Sequence, residues 1–214
     1  MTQAAARTVA GDRRPPSRGD QQRALIIDAV TDLLRTVSIT DMSVLRIAKH
    51  AGVSRPAFYF YFESKYSVVA AALEEVWTEI DQETSELTSY DNQEPPADFS
   101  IRMIDSAVAV WRRHAHLLNA CAQSRDTDAQ LRTMWDAFIG NLETKLATFA
   151  RTQVDARHMS PATADLPALI SVLVAMTVTV VREETAGGDA AAADRRMAAV
   201  RQVWLMSLWG TEIR

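Results

Sequence analysis

Residues 52–66 read GVSRPAFYFYFESKY, and this stretch decides the fold. Five aromatics in a row, Phe58, Tyr59, Phe60, Tyr61 and Phe62, follow Gly52 and Pro56. Successive residues of a helix point about 100° apart, so five consecutive rings cannot share one buried face. Some of them must point at something other than the core. Upstream, Ser43 suits the N-cap of a short helix carrying apolar Val44, Ile47, Ala48 and Ala51. Gly52 stops that helix, because glycine readily takes the left-handed conformation of a tight turn. Ser54 caps the next helix, and Pro56 falls in its first turn, where a missing N–H costs little. Residues 43–62 thus read as helix, three-residue turn, helix.

The pattern extends both ways. Over residues 21–37 the apolar positions Ile26, Ile27, Val30, Leu33, Leu34 and Val37 have helical spacing. After Glu63-Ser64, Val69, Ala72, Leu73, Val76 and Ile80 form one stripe of a long helix running to about residue 87. SYDNQEPPADF, residues 89–99, breaks it. Five further helices are expected at about 99–113, 116–123, 127–154, 163–185 and 189–208, the last two separated by Gly187-Gly188. VLVAMTVTVV, residues 172–181, is rich in β-branched residues, but its helical flanks decide for helix. The expected class is all-α with about nine helices. A flexible basic arm (1–20) precedes a three-helix helix-turn-helix domain (21–66), and a larger helical domain (67–214) follows.

Composition narrows the function. The chain has 214 residues, 48% hydrophobic, enough for a sizeable core. Cys121 is the sole cysteine, so no internal disulfide can form, which fits the cytoplasm. The first twenty residues lack the apolar segment of a secretory signal. LPALISVLVAMTVTVV, residues 166–181, is short for a membrane span and contains Pro167, so it reads as a buried helix with no membrane role. Net charge is −4, but residues 1–66 carry +4 and the remainder −8. A basic front on an acidic body lets only the front approach a polyanion. The arm, with Arg7, Arg13, Arg14 and Arg18, is either a solvated terminus or a contact to DNA phosphate or minor groove.

A helix-turn-helix places the start of its second helix at base edges in the major groove. Arg55 is suited to bidentate bonds with guanine O6 and N7, while Pro56 and Ala57 offer apolar surface to a thymine methyl. Ser54 stands beside them at the cap. Tyr59 and Tyr61 carry hydroxyls that can reach phosphates. Ser43 and Arg46 can clamp phosphate from the first helix, and Lys65 adds a cation at the next helix N-terminus. On this reading Phe58 and Phe62 pack inward and Tyr59, Phe60 and Tyr61 cover the DNA side. The alternative buries all five rings, with the tyrosines reaching out to water.

GVSRPAFYFYFESK resembles the recognition-helix signature of the TetR family of bacterial one-component repressors. The order of elements is similar too: three N-terminal helices, a connecting helix and a larger body. Within that family, SRPAFYFYF and the C-terminal VWLMSLWG resemble the EthR-like repressors. The resemblance implies a homodimer formed through the last two long helices, a double-stranded palindromic operator, and a hydrophobic small-molecule effector in a tunnel of the body. It implies a ligand-responsive repressor with no cofactor and no catalytic residue. Apolar residues on more than one face of the last two helices independently suit a partner.

For the tunnel, Met103, Trp111, Trp135, Phe138, Leu142 and Met176 are candidate lining residues, with Trp204 near one end. Ordinary core packing is the alternative for each. Thr177 and Thr179 are the hydroxyls of the apolar run and can anchor a ligand or bond their own helix backbone. EthR-like sequences tend to carry asparagines in this helix, where Val174 and Thr177 stand here.

Two other classes compete. A di-iron helical enzyme needs Glu-x-x-His pairs, and none occurs here; Gly-rich phosphate loops and nucleophile elbows are also absent. His114 and His116 are two residues apart, face different sides of a helix, and fall short of a metal site with Cys121. A partner-binding protein with a decayed DNA domain is disfavoured by Ser43, Arg55, Tyr59, Tyr61 and Lys65 all standing in place.

Overall fold

The computed structural model describes residues 18–87, 94–187 and 189–210. Most of the basic arm, the middle of the loop before Pro95-Pro96, and Gly188 lie outside the described residues. The described residues form helices joined by turns, with no strand. In chain order the helices are α1 (Arg18–Leu33), α2 (Val44–His50), α3 (Arg55–Tyr61), α4 (Lys65–Leu87), α5 (Pro96–Arg113), α6 (Ala115–Ser124), α7 (Ala129–Asp155), α8 (Leu166–Thr185) and α9 (Ala190–Trp209).

Side-chain caps fix several starts. Ser43 Oγ accepts from the N–H of Arg46 at 3.2 Å, and Ser54 Oγ accepts from that of Ala57 at 3.2 Å. Asp128, Asp165 and Asp189 cap α7, α8 and α9 in the same way. Each cap satisfies an amide that the helix itself leaves unpaired. Asp165 also explains why α8 starts at Leu166 rather than Thr163. The turn between α2 and α3 is a Schellman closure. Val53 N–H donates to Ala48 O at 3.0 Å and Gly52 N–H to Lys49 O at 3.3 Å. It needs Gly52 at φ +66°, a conformation that side chains with a Cβ resist.

One apolar core runs through the molecule. In the N-terminal part, Ile26 and Val30 of α1 join Ile47 of α2, Phe58 of α3, and Val69 and Leu73 of α4, all out of water. α4 packs on α1 at its start and on α5, α6 and α7 farther along. It is the mechanical link between the front and the body. α8 and α9 pack on one another, α8 also against α7 and α9 against α5.

Candidate DNA-binding surface and ligand cavity

The aromatic run divides as a helix must divide it. Phe58 is 0% exposed and Phe62 5%, whereas Tyr59 is 46% and Phe60 80% exposed. Phe58 packs edge-on to Tyr59 and tilted to Phe62, which fixes the roll of α3. An 80% exposed phenylalanine loses nothing by being covered, and a partner surface gains by covering it. Arg55 is exposed and lies over the Tyr59 ring, 5.6 Å from its centre. Pro56 is exposed and Ala57 half-buried beside them. Ser43, Arg46 and Ser54 are exposed at the starts of α2 and α3.

Two expected contact residues are also tied to the fold. Tyr61 is half-buried, and its hydroxyl meets Gln22 Oε1 of α1 at 3.2 Å. Lys65 Nζ donates to the carbonyls of Met42 at 2.9 Å and Thr40 at 3.2 Å. Burial lowers the Lys65 ammonium's pKa, and the nearby Asp41 opposes that shift. The ammonium has three donors, so one remains after these two bonds. Sequence reasoning gave no sign of Gln22, which lies 39 residues from Tyr61. It also passed over Leu45, 65% exposed on α2, whose exposure follows from its place off the Val44-Ile47-Ala48-Ala51 stripe.

In the body, side chains of α4, α5, α7, α8 and α9 enclose an apolar cavity of about 100 Å³. Of the residues expected there, Met103, Trp111, Phe138, Leu142, Thr177 and Trp204 line it. Trp135, Met176 and Thr179 do not. Trp135 sits in the layer behind, edge-on to Trp111 with centres 5.9 Å apart and to Phe138 at 6.3 Å. Met176 is half-buried against the core. Thr179 is exposed, and its hydroxyl donates to Ala175 O of its own helix at 2.8 Å. Thr177 also donates to its own helix, at Leu173 O, and accepts from Trp204 Nε1 at 2.9 Å. Val174, which stands where EthR-like sequences tend to carry an asparagine, also lines it, and Phe99, Ile104 and Phe149 complete much of the wall, although nothing in sequence distinguishes these three from ordinary core.

The cavity connects mechanically to the front. Ile80, Glu83 and Thr84 of α4 line it, about 22–28 Å along the helix from Lys65 by the rise per residue. Glu79 of the same helix pairs with Arg113 and, at 2.7 Å, with His114; Glu83 accepts from Ser106 at 2.9 Å. These bonds hold α4 to α5 and the α5–α6 junction.

No three metal-ligating side chains cluster among the described residues. Burial pushes the Cys121 thiol up to about 12, so it is not a nucleophile near neutral pH.

Known proteins agree with this layout. Residues 26–72 match the family described as bacterial regulatory proteins, tetR family, and residues 101–210 match the transcriptional regulator EthR C-terminal domain. The HTH-type transcriptional regulator EthR of Mycolicibacterium smegmatis is 27% identical over 217 residues, covering 96% of this chain and 94% of that protein. EthR of Mycobacterium tuberculosis is 27% identical over 209 residues, 94% of this chain and 93% of that one. Among solved structures, a SmeT–triclosan complex superposes with a TM-score of 0.69 at 21% identity, over 88% of this chain and 91% of SmeT.

Proposed function

The chain belongs to the TetR family of bacterial transcriptional regulators, in its EthR-like branch, and on that premise we propose that it is a dimeric repressor released from DNA by an apolar small molecule. It is a regulator and not an enzyme. One observation carries the reading: a single helix, α4, follows the outward-facing recognition helix after three residues, packs on α1 of the same domain at that end, and walls an apolar cavity farther along.

At the DNA, Arg55 reads a guanine, Pro56 and Ala57 meet a thymine methyl, and Tyr59, Phe60 and Tyr61 cover the backbone. Ser43, Arg46 and Ser54 flank them at phosphates. Lys65 holds the turn before α2 with two donors and offers its third to phosphate.

The dimer forms through α8 and α9. α8 is apolar and long enough to cross a membrane by length and composition, yet its Leu166, Ile170, Leu173, Val174 and Val181 lie in the core. Its opposite face presents Ala168, Val172, Ala175 and Thr179 at spacings of three and four, and α9 presents Ala199, Val203 and Met206. Val172 is 67% exposed and Met206 47%, on a stripe smooth enough for close helix packing. A two-fold dimer sets two α3 helices on a palindrome, with half-sites about 34–36 Å apart or a multiple of that. The protein works in the cytoplasm, where its DNA is.

Ligand in the cavity displaces α4 and with it the spacing of the two α3 helices. It acts only as far as it prefers one state, and couplings of this kind are typically about 1–3 kcal/mol, or roughly 5–150-fold in affinity. The test pairs Val172→Glu, run by sedimentation, with operator titrations in the presence and absence of a saturating apolar ligand. The reading expects a monomeric variant and DNA binding weakened at least about fivefold by ligand. A dimeric Val172→Glu protein would sink the interface, and unchanged DNA affinity with ligand bound would sink the effector.

A further inference from the structure

A second hollow lies against the cavity. Between α4 and α7 an open groove of about 440 Å³ carries Trp77, Asp81, Asn141 and Lys145. Groove and cavity share four residues, Ile80, Thr84, Phe138 and Leu142, so the wall between them is one side chain thick. Phe138 is held there by stacking on Trp77, with ring centres 4.2 Å apart and planes 22° apart.

The cavity alone is small. An engineered apolar cavity of about 150 Å³ takes benzene, so about 100 Å³ holds only a handful of heavy atoms. The groove alone is open to water and partly polar. Joined by rotation of Phe138, they make one site with a dry end and a wet end.

We propose that cavity and groove are the two halves of one ligand site, entered between α4 and α7 through Phe138, and that its ligand is an amphiphile with an apolar chain in the cavity and a positively charged head at Asp81. This deepens the effector reading above and rests on it. The groove's own charges are Asp81 and Lys145, which pair with one another, and Asn141 Nδ2 donates to the same carboxylate at 3.1 Å. Beyond that pair the field is acidic. Glu74 and Glu75 of α4 line the adjoining hollow, whereas Glu79 and Glu83 are paired with Arg113. The half-buried rings of the mouth add to the preference, because the π-faces of Trp77 and Phe138 outside their mutual stack attract a cation and not an anion. The Lys145 hydrogen bond holds the Asp81 carboxyl below its usual range, so it stays ionised at neutral pH. An anionic head would have to sit beside Asp81. Entry by this route wedges α4 from α7 directly, on the helix that leads to Lys65 and α3.

The test is calorimetric titration of the full-length protein with butyl-, octyl- and dodecyltrimethylammonium and with dodecanoate, all below their micelle concentrations. A joined site predicts affinity that rises through octyl to dodecyl, by up to about fourfold per buried methylene. It predicts dodecyltrimethylammonium over dodecanoate by at least about tenfold, and a narrowed preference in Asp81→Asn. Phe138→Ala is expected to raise octyl affinity; if that variant does not fold, the chain series on the unaltered protein decides alone. Affinity that stops rising at butyl, or dodecanoate bound as tightly as the cation, would overturn the proposal. DNA release is read separately by fluorescence anisotropy. Chain-dependent binding without release would support this site and overturn the effector reading. Release by butyl alone, with no gain from longer chains, would keep the effector and overturn this site.

Discussion

Lys65→Met separates the two jobs assigned to one ammonium. Methionine keeps most of the side chain's length and removes its charge and donors. Two hydrogen bonds disappear, to Met42 O at 2.9 Å and Thr40 O at 3.2 Å. Bonds to charged donors contribute about 1.5–3 kcal/mol each when buried, but Lys65 is only half-buried, which puts the pair at about 1–2 kcal/mol in total. For a chain of this size that is a fall in melting temperature of roughly 2–8 °C. Urea unfolding should show a lower midpoint at constant slope. On DNA the variant should weaken every sequence alike, and the slope of log affinity against log salt should fall by about one as one phosphate contact disappears. A stability equal to the parent's would refute the bonds to the turn before α2. A loss confined to one base position would refute the phosphate assignment.

Arg55→Ala should leave stability within about 0.5 kcal/mol, since Arg55 is exposed, yet cost about 1–3 kcal/mol on operator DNA and relax one base position in a competition assay. Phe58→Ala should destabilise by about 3–5 kcal/mol because Phe58 is wholly buried, whereas Phe60→Ala should unfold like the parent and weaken DNA binding. His116 gives a pH signature. Burial lowers its pKa from 6.5, with Arg35 and His114 acting in the same direction and Asp32 against it. The unfolded chain therefore takes up the proton first, and the stability held above about pH 6.5 is lost as pH falls through that value toward the folded pKa. His116→Gln should flatten that part of the stability–pH curve measured by urea unfolding.

Local chemistry made the front half legible from sequence. Ser43, Gly52, Ser54 and Pro56 each act within a few residues of themselves, so their spacing fixes α2, the turn and α3 before any tertiary contact is known. The split of the aromatic run follows from helical geometry in the same way. α1 was harder: Leu34 and Val37 continue its apolar spacing, yet the helix ends at Leu33 and residues 34–37 form a turn. Periodicity reports which positions are covered, not whether the backbone stays helical while covering them. The tie from Tyr61 to Gln22, and the place of Trp135 behind Trp111 rather than in the cavity, depend on how helices distant in sequence roll against each other. Thr179 was misplaced for a related reason. In an apolar run every face reads as buried, and the structure turns that one to the outside with Val172 and Ala175.

The central claim is a specific repressor, and the direct measurement is titration of the protein onto the DNA upstream of its own gene and onto a scrambled duplex, at two salt concentrations. The account predicts a preference for its own upstream DNA of at least about 10³-fold that persists at the higher salt. Equal binding to both duplexes, weak and collapsing steeply with salt, would contradict it.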